Sequence, residues 1–177
     1  MELWDLYDSH RNLTGQTMVR GTPVPEGMYH LVVHVCIFNS RGEMLIQQRQ
    51  PFKPTWGGMW DLSVGGGAVA GDSSAAAAQR EVLEEIGVSL DFSHTAPACT
   101  VTFMDGFDDY YMITKDLDLH KLRLQPEEVA QVKWASLQEI LAMIADGSFI
   151  PYHPAFLEFL FFQRDHSGTR THGRKNA

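Results

Sequence analysis

Cysteine is scarce in this sequence. Among the 177 residues there are two, Cys36 and Cys99, each inside an apolar stretch. A disulfide framework of the kind that staples small secreted domains is thereby excluded, and reduced core thiols are expected. Long apolar runs are also missing: no stretch approaches the ~18 uninterrupted apolar residues of a membrane span. The opening MELWDLYDSH has neither a basic start nor an apolar run, so no export leader is expected and a cytoplasmic setting is predicted. Positive charge is in short supply as well. Lys and Arg number 14 against 22 Asp and Glu, a formal charge of −8, and such a surface repels nucleic acid backbones and anionic membranes. Neither a nucleic acid polymer nor a membrane is an expected partner; a homodimer is compatible with the composition and not required by it.

What is present is a substantial apolar content, 44%, enough to fill one core at this length. A single domain over 1–165 is expected: a hairpin and loop at 1–27, a core at 28–145, a C-terminal helix at 146–165, and a disordered tail at 166–177. The segment ELWDLYD, a polar turn and a return through Met18 read as the hairpin. YHLVVHVCIF is a β-branched run suited to a strand buried on both faces, and EMLIQQRQ follows it across the turn NSRG, proposing a central hairpin. WDLSVGGG ends in glycines, which let a backbone approach another group closely. SSAAAAQREVLEEI is rich in helix formers and is followed by Gly87, suited to a left-handed cap, so it predicts a helix over 73–86. Residues 98–104, 108–114 and 128–135 read as further strands. Ser136 starts one more helix and HPAFLEFLFFQ another. The mixed order predicts an α+β fold with a sheet sandwiched by helices.

The chemistry lies on the 73–86 helix. At ~100° per residue, Glu81, Glu84 and Glu85 fall within an arc of roughly 100°. Val82, Ile86, Ala75 and Ala78 cluster opposite, with Gln79 among them, so the acids are expected to point outward across a groove beside Gly65–Gly67. Like charges at these spacings destabilise a helix, and Arg80 offsets only part of that. A hard divalent cation that takes oxygen ligands and leaves positions for phosphate oxygens relieves the repulsion; magnesium is the natural candidate, with manganese as the alternative. An acidic face on an amphipathic helix is in most proteins simply solvated, so spacing alone does not decide.

The stretch GGAVAGDSSAAAAQREVLEEIGV, residues 66–88, resembles the Nudix box: Gly66, Arg80, Glu81, Val82, Glu84, Glu85, Gly87 and Val88 hold their places in it. Asp72 stands where the family has its first Glu, and its shorter reach puts the contact to Arg80 in doubt. The resemblance implies a mixed sheet between helices and a metal-dependent hydrolase of a small-molecule diphosphate. It further implies metal ligation by the Gly66 carbonyl and by Glu81, Glu84 and Glu85, with one glutamate serving as base. Glu127 or Glu128, in a later stretch similar to the family's C-terminal pattern, is the candidate for an additional carboxylate. Arg49 resembles a position that meets substrate phosphate. The central strands are also similar to those of isopentenyl diphosphate isomerases, with His30 on one of their metal histidines. The isomerases' Ser-Val-Cys-Gly-His run is replaced here by Ser63-Val64-Gly65-Gly66-Gly67, which removes the essential cysteine. Hydrolysis is the leading expectation, with an isomerase or a non-catalytic ligand sensor as alternatives. His30, His34 and Cys36 are read as buried or pocket-lining, and Trp56, Trp60, Phe103 and Phe107 as core.

Overall fold

A computed structural model describes residues 2–164; the tail expected from 166 lies outside the described residues. The leading hairpin forms as a separate two-stranded sheet, β1 (Leu3–Tyr7) antiparallel to β2 (Leu13–Val19). A seven-stranded mixed sheet follows, built on β3 (His30–Phe38), β4 (Met44–Arg49), β5 (Trp60–Asp61), β6 (Val64–Gly67), β7 (Cys99–Phe103), β8 (Gly106–Thr114) and β9 (Val129–Ala135). Three α-helices accompany it: α1 (Ser74–Ile86), α2 (Leu137–Ala145) and α3 (Pro154–Gln163).

The run HLVVHVCIF is buried on both faces because it lies at the centre of the sheet. Val33, Val35 and Ile37 join the core that includes Ala77, Ala78, Val82 and Ile86 of α1. Cys36 and Phe38 join the core made with Ile140 of α2 and Leu157, Leu160 and Phe161 of α3. The sheet is thus covered by α1 on one side and by α2 and α3 on the other, as the alternation of an apolar strand requires.

β3 and β4 form the expected antiparallel hairpin across the NSRG turn, but its ladder is short: they share the single pair Phe38↔Met44. Beyond it β4 turns to β9, running from Met44↔Ala135 to Arg49↔Val129, while β6 pairs with β3 from Val35↔Val64 to Val32↔Gly67. β8 runs parallel to β3 along its whole length. The fork between β4 and β6 is stitched by buried Ser63, whose hydroxyl accepts from the Ile37 N–H at 2.8 Å and donates to the Leu45 carbonyl at 2.5 Å. Periodicity identifies strands but not their partners, and β6 is too short and glycine-rich to signal that it displaces β4.

Helix α1 ends as its sequence dictates. The Ser73 hydroxyl caps the Ala76 N–H, and Gly87, at φ 71°, turns its N–H back to Leu83 and Val82. Ser136 begins α2 with a reciprocal capping box to Glu139.

Candidate active site

Three successive glycines make room for three side chains. A Cβ on Gly65 would lie 2.8 Å from Nδ1 of His34; one on Gly66 would strike the carboxyl group of Glu81; one on Gly67 would lie 2.9 Å from the Trp4 indole. Without those Cβ atoms, α1 and the hairpin approach the end of β6 closely.

That approach corrects the expected orientation of α1. Its buried stripe is Ala77, Ala78, Glu81, Val82, Glu85 and Ile86, so Glu81 and Glu85 are 8% and 4% exposed rather than aimed outward. Only the Glu84 side chain, 50% exposed, faces solvent. Gln79 is exposed and Ala75 half-buried, which places the apolar stripe one step around from the expected one and removes the awkward glutamine.

The three glutamates line one polar cavity of about 350 Å³ beside Gly65 and Gly66. Arg49, Lys53 and Glu128 also face it, as do Glu2 and Arg20 from the hairpin. Glu127 is exposed on its loop and does not line it. Arg80 ties the loop to the helix: its guanidinium donates to Asp72 at 3.1 Å, Glu81 at 2.8 Å, Glu84 at 3.2 Å and the Gly67 carbonyl at 3.0 Å. The contact left in doubt by the shorter side chain is therefore made: Asp72 reaches this arginine. Burial works against the Arg80 charge, but Glu81 and Asp72 outweigh it and hold the group above the ordinary arginine value.

Burial pushes the Glu81 carboxyl up, with Arg80 opposing and Glu84 adding. Burial pushes Glu85 up much further, the neighbouring Glu81 charge adds to it, and the amide of Gln47 opposes. That amide donates to Glu85 Oε2 at 2.9 Å, and Gln47 Oε1 is buried without a hydrogen-bond partner among the described residues. Lys53 reaches Glu128 at 2.6 Å, and Arg49 lies 3.9 Å from Asp61.

The buried carboxyl groups of Glu81 and Glu85, with Glu84 and a backbone strand end beside them, form a hard-oxygen donor set, which suits a divalent cation. Among the described residues, no three carboxylate, imidazole or thiol groups are gathered closely enough to hold such an ion as they stand. Glu81 and Glu84 are turned to Arg80, and Glu128 to Lys53.

Residues 28–157 match the family model of the NUDIX domain. The chain belongs to the Nudix family. A Nudix hydrolase of Listeria monocytogenes is 48% identical over 161 residues, covering 91% of this chain and 94% of its own length. A Streptomyces coelicolor isopentenyl-diphosphate Delta-isomerase is 28% identical over 88% of this chain and 82% of its own. A Deinococcus radiodurans crystal structure superposes with a TM-score of 0.72 at 23% identity, covering 90% of this chain and 97% of that one. The Nudix domain of Shewanella oneidensis NrtR, solved with ADP-ribose, does so at 0.59 and 21% identity, over 78% and 89%. The last two speak to the fold alone. The expected Nudix pyrophosphohydrolase, related more distantly to the isomerases, stands. Nudix enzymes generally use divalent metals, and among the described residues no helix is long and apolar enough to cross a membrane.

The room at Gly65, where the isomerases carry their cysteine, is taken up by His34, which stacks on Tyr110 and lies 3.3 Å from Asp108. His30 is buried and stacked on Trp4. Cys36 is buried and its thiol pushed up by burial, as a core residue's is. Phe107 is core and Phe103 and Trp60 half-buried, but Trp56 is exposed at φ 54°, so only part of the expected aromatic core holds. Lys53, Gln47, Glu2 and Arg20 were absent from the sequence-derived site. The signal for Lys53 was its place in the loop after Arg49; the others needed the tertiary fold.

Proposed function

We propose that this Nudix protein hydrolyses the diphosphate linkage of a nucleoside diphosphate joined to another moiety, or of a related small-molecule diphosphate, with magnesium or manganese as cofactor. The observation that carries this reading is the single polar cavity in which Glu81, Glu84, Glu85 and Glu128 share walls with Arg49 and Lys53. The metal's holders are the Gly66 carbonyl, Glu81, Glu84, Glu85 and Glu128. When bound, the ion supplies neutralising charge to the phosphate oxygens and acidifies water for attack.

The rest is the work of the chain. Arg49 and Lys53 bind and orient the diphosphate, for which a planar guanidinium and a compact ammonium are both suited. Arg80 holds Asp72, Glu81 and Glu84 in one arrangement, fixing the helix against the loop. In this reading Glu84, the solvent-facing member of the trio, accepts the proton of the attacking water.

The test is a screen of nucleotide sugars, dinucleotides, ADP-ribose, nucleoside triphosphates and isoprenoid diphosphates, scoring phosphate-containing products. Turnover is expected only with a divalent cation, and Glu84→Gln and Glu85→Gln are expected to lower it by about 10²-fold or more. Full activity of these variants on every active substrate contradicts the reading. Interconversion of isoprenoid diphosphates without bond cleavage points instead to an isomerase, and binding without turnover at any metal concentration to a sensor.

A further inference from the structure

The match to the Nudix domain begins at residue 28, yet two of the side chains facing the cavity, Glu2 and Arg20, belong to the hairpin that precedes it. We infer that this hairpin is part of the active site and that Arg20 is a substrate-binding residue that grips the phosphate chain together with Arg49 and Lys53. The inference rests on the diphosphatase reading and deepens it.

Four independent contacts lock the hairpin onto the catalytic elements. The Trp4 indole fills the space above Gly67 and stacks on His30 with ring centroids 4.5 Å apart. The Leu3 carbonyl accepts from the Ala70 N–H at 2.8 Å, and the Asp5 carboxylate from the Gly71 N–H at 2.7 Å, so β1 buttresses the loop that leads into α1. Arg11, in the hairpin turn, forms a two-pronged ion pair with buried Asp109 of β8. The wall carrying Arg20 is therefore fixed rather than draped.

Arg20 differs from the other cations of the cavity in how it is held. Arg80 is saturated by three carboxylates and a carbonyl, and Lys53 is bound to Glu128. Arg20 lies over the Trp4 ring, 5.9 Å from its centroid, and among the described residues its ion pair is with Glu2, at 3.0 and 3.1 Å. Its side chain is 49% exposed. An exposed pair of this kind has little net worth, whereas a guanidinium bound to phosphate makes charge-assisted, forked bonds. Arg20 can therefore leave Glu2 for a phosphate while Trp4 still supports its plane.

Calorimetry with methylenediphosphonate, a non-hydrolysable diphosphate, in saturating magnesium tests this on the full chain. Arg20→Ala is expected to weaken binding by about 10-fold or more with an unchanged melting temperature. Arg20→Lys should restore part of the loss, and Arg41→Ala, a cation on the distant β3–β4 turn, should bind like wild type. On any hydrolysed substrate, Arg20→Ala should raise KM more than it lowers kcat. Wild-type affinity in Arg20→Ala, or an equal loss in Arg41→Ala, overturns the role of Arg20 and leaves the diphosphatase reading standing. Failure of the wild-type protein itself to bind the probe overturns both.

Discussion

Glu85 carries the clearest conflict between stability and function. It is almost fully buried, its hydrogen-bonding partner is a neutral amide, and the charges of Glu81, Glu128 and Asp61 all oppose its ionisation. A carboxyl whose folded pKa lies above its unfolded value binds a proton more tightly in the folded state. Stability is then greatest below the unfolded value of about 4.5 and falls as pH rises towards the folded one. Metal-free Glu85→Gln is accordingly expected to melt above wild type at pH 7–8, by about 2–4 °C for each kcal/mol recovered, with the gap closing towards pH 4.5. Thermal melts across pH with chelator present measure this; a wild-type protein more stable than the variant at pH 8 would contradict it. Gly66 makes a second point at the same scale. Its φ is outside the left-handed region, so alanine is tolerated by the backbone, but the new methyl occupies the place of the Glu81 carboxyl group. Gly66→Ala should fold with at most a small loss in melting temperature while activity drops by about 10²-fold, the signature of a displaced ligand or base.

At the scale of elements, α1 positions the chemistry because both of its ends are fixed. Removing the Ser73 hydroxyl leaves the Ala76 N–H without its cap, and Ser73→Ala is expected to cost about 1 kcal/mol, read from chemical denaturation. This helix was legible almost to the residue: helix formers, a serine before them and a glycine after are local signals. Its rotation was not. Periodicity put Ala78, Val82 and Ile86 on the apolar face, where they are, along with Ala75 and Gln79; that Ala77 and the Glu81 and Glu85 stems complete the buried stripe depends on tertiary packing, including the space Gly66 leaves for Glu81 from another element. The same limit explains β3 and β4. Each was visible as a strand, but their parting after Phe38↔Met44 depends on a four-residue strand and on buried Ser63, which no local pattern marks.

Across the whole molecule, the hairpin is joined to the core through a buried polar cluster. Asp109, fully buried, accepts from Arg11, from Thr100 at 2.6 Å and from Ser74 at 2.5 Å, and the Tyr111 hydroxyl donates to Ser74 at 2.8 Å. Arg11→Met leaves a buried carboxylate short of its countercharge, so a loss of about 3 kcal/mol is expected in denaturant unfolding; a variant as stable as wild type would show that the clasp contributes nothing. The box, read from fixed spacing, led to Glu81, Glu84, Glu85 and Arg80 without a structure. Lys53 and Arg20 line the same cavity from places far apart in the chain, and Gln47 reaches Glu85 from β4; only the fold brings them together. The central claim, that the α1 glutamates jointly hold a divalent cation beside the end of β6, is tested most directly by calorimetric titration of metal-free protein with manganese. Saturable uptake by wild type that is lost or weakened at least tenfold in Glu81→Gln and Glu85→Gln is the predicted result; no uptake by wild type, or unchanged uptake in both variants, would contradict it.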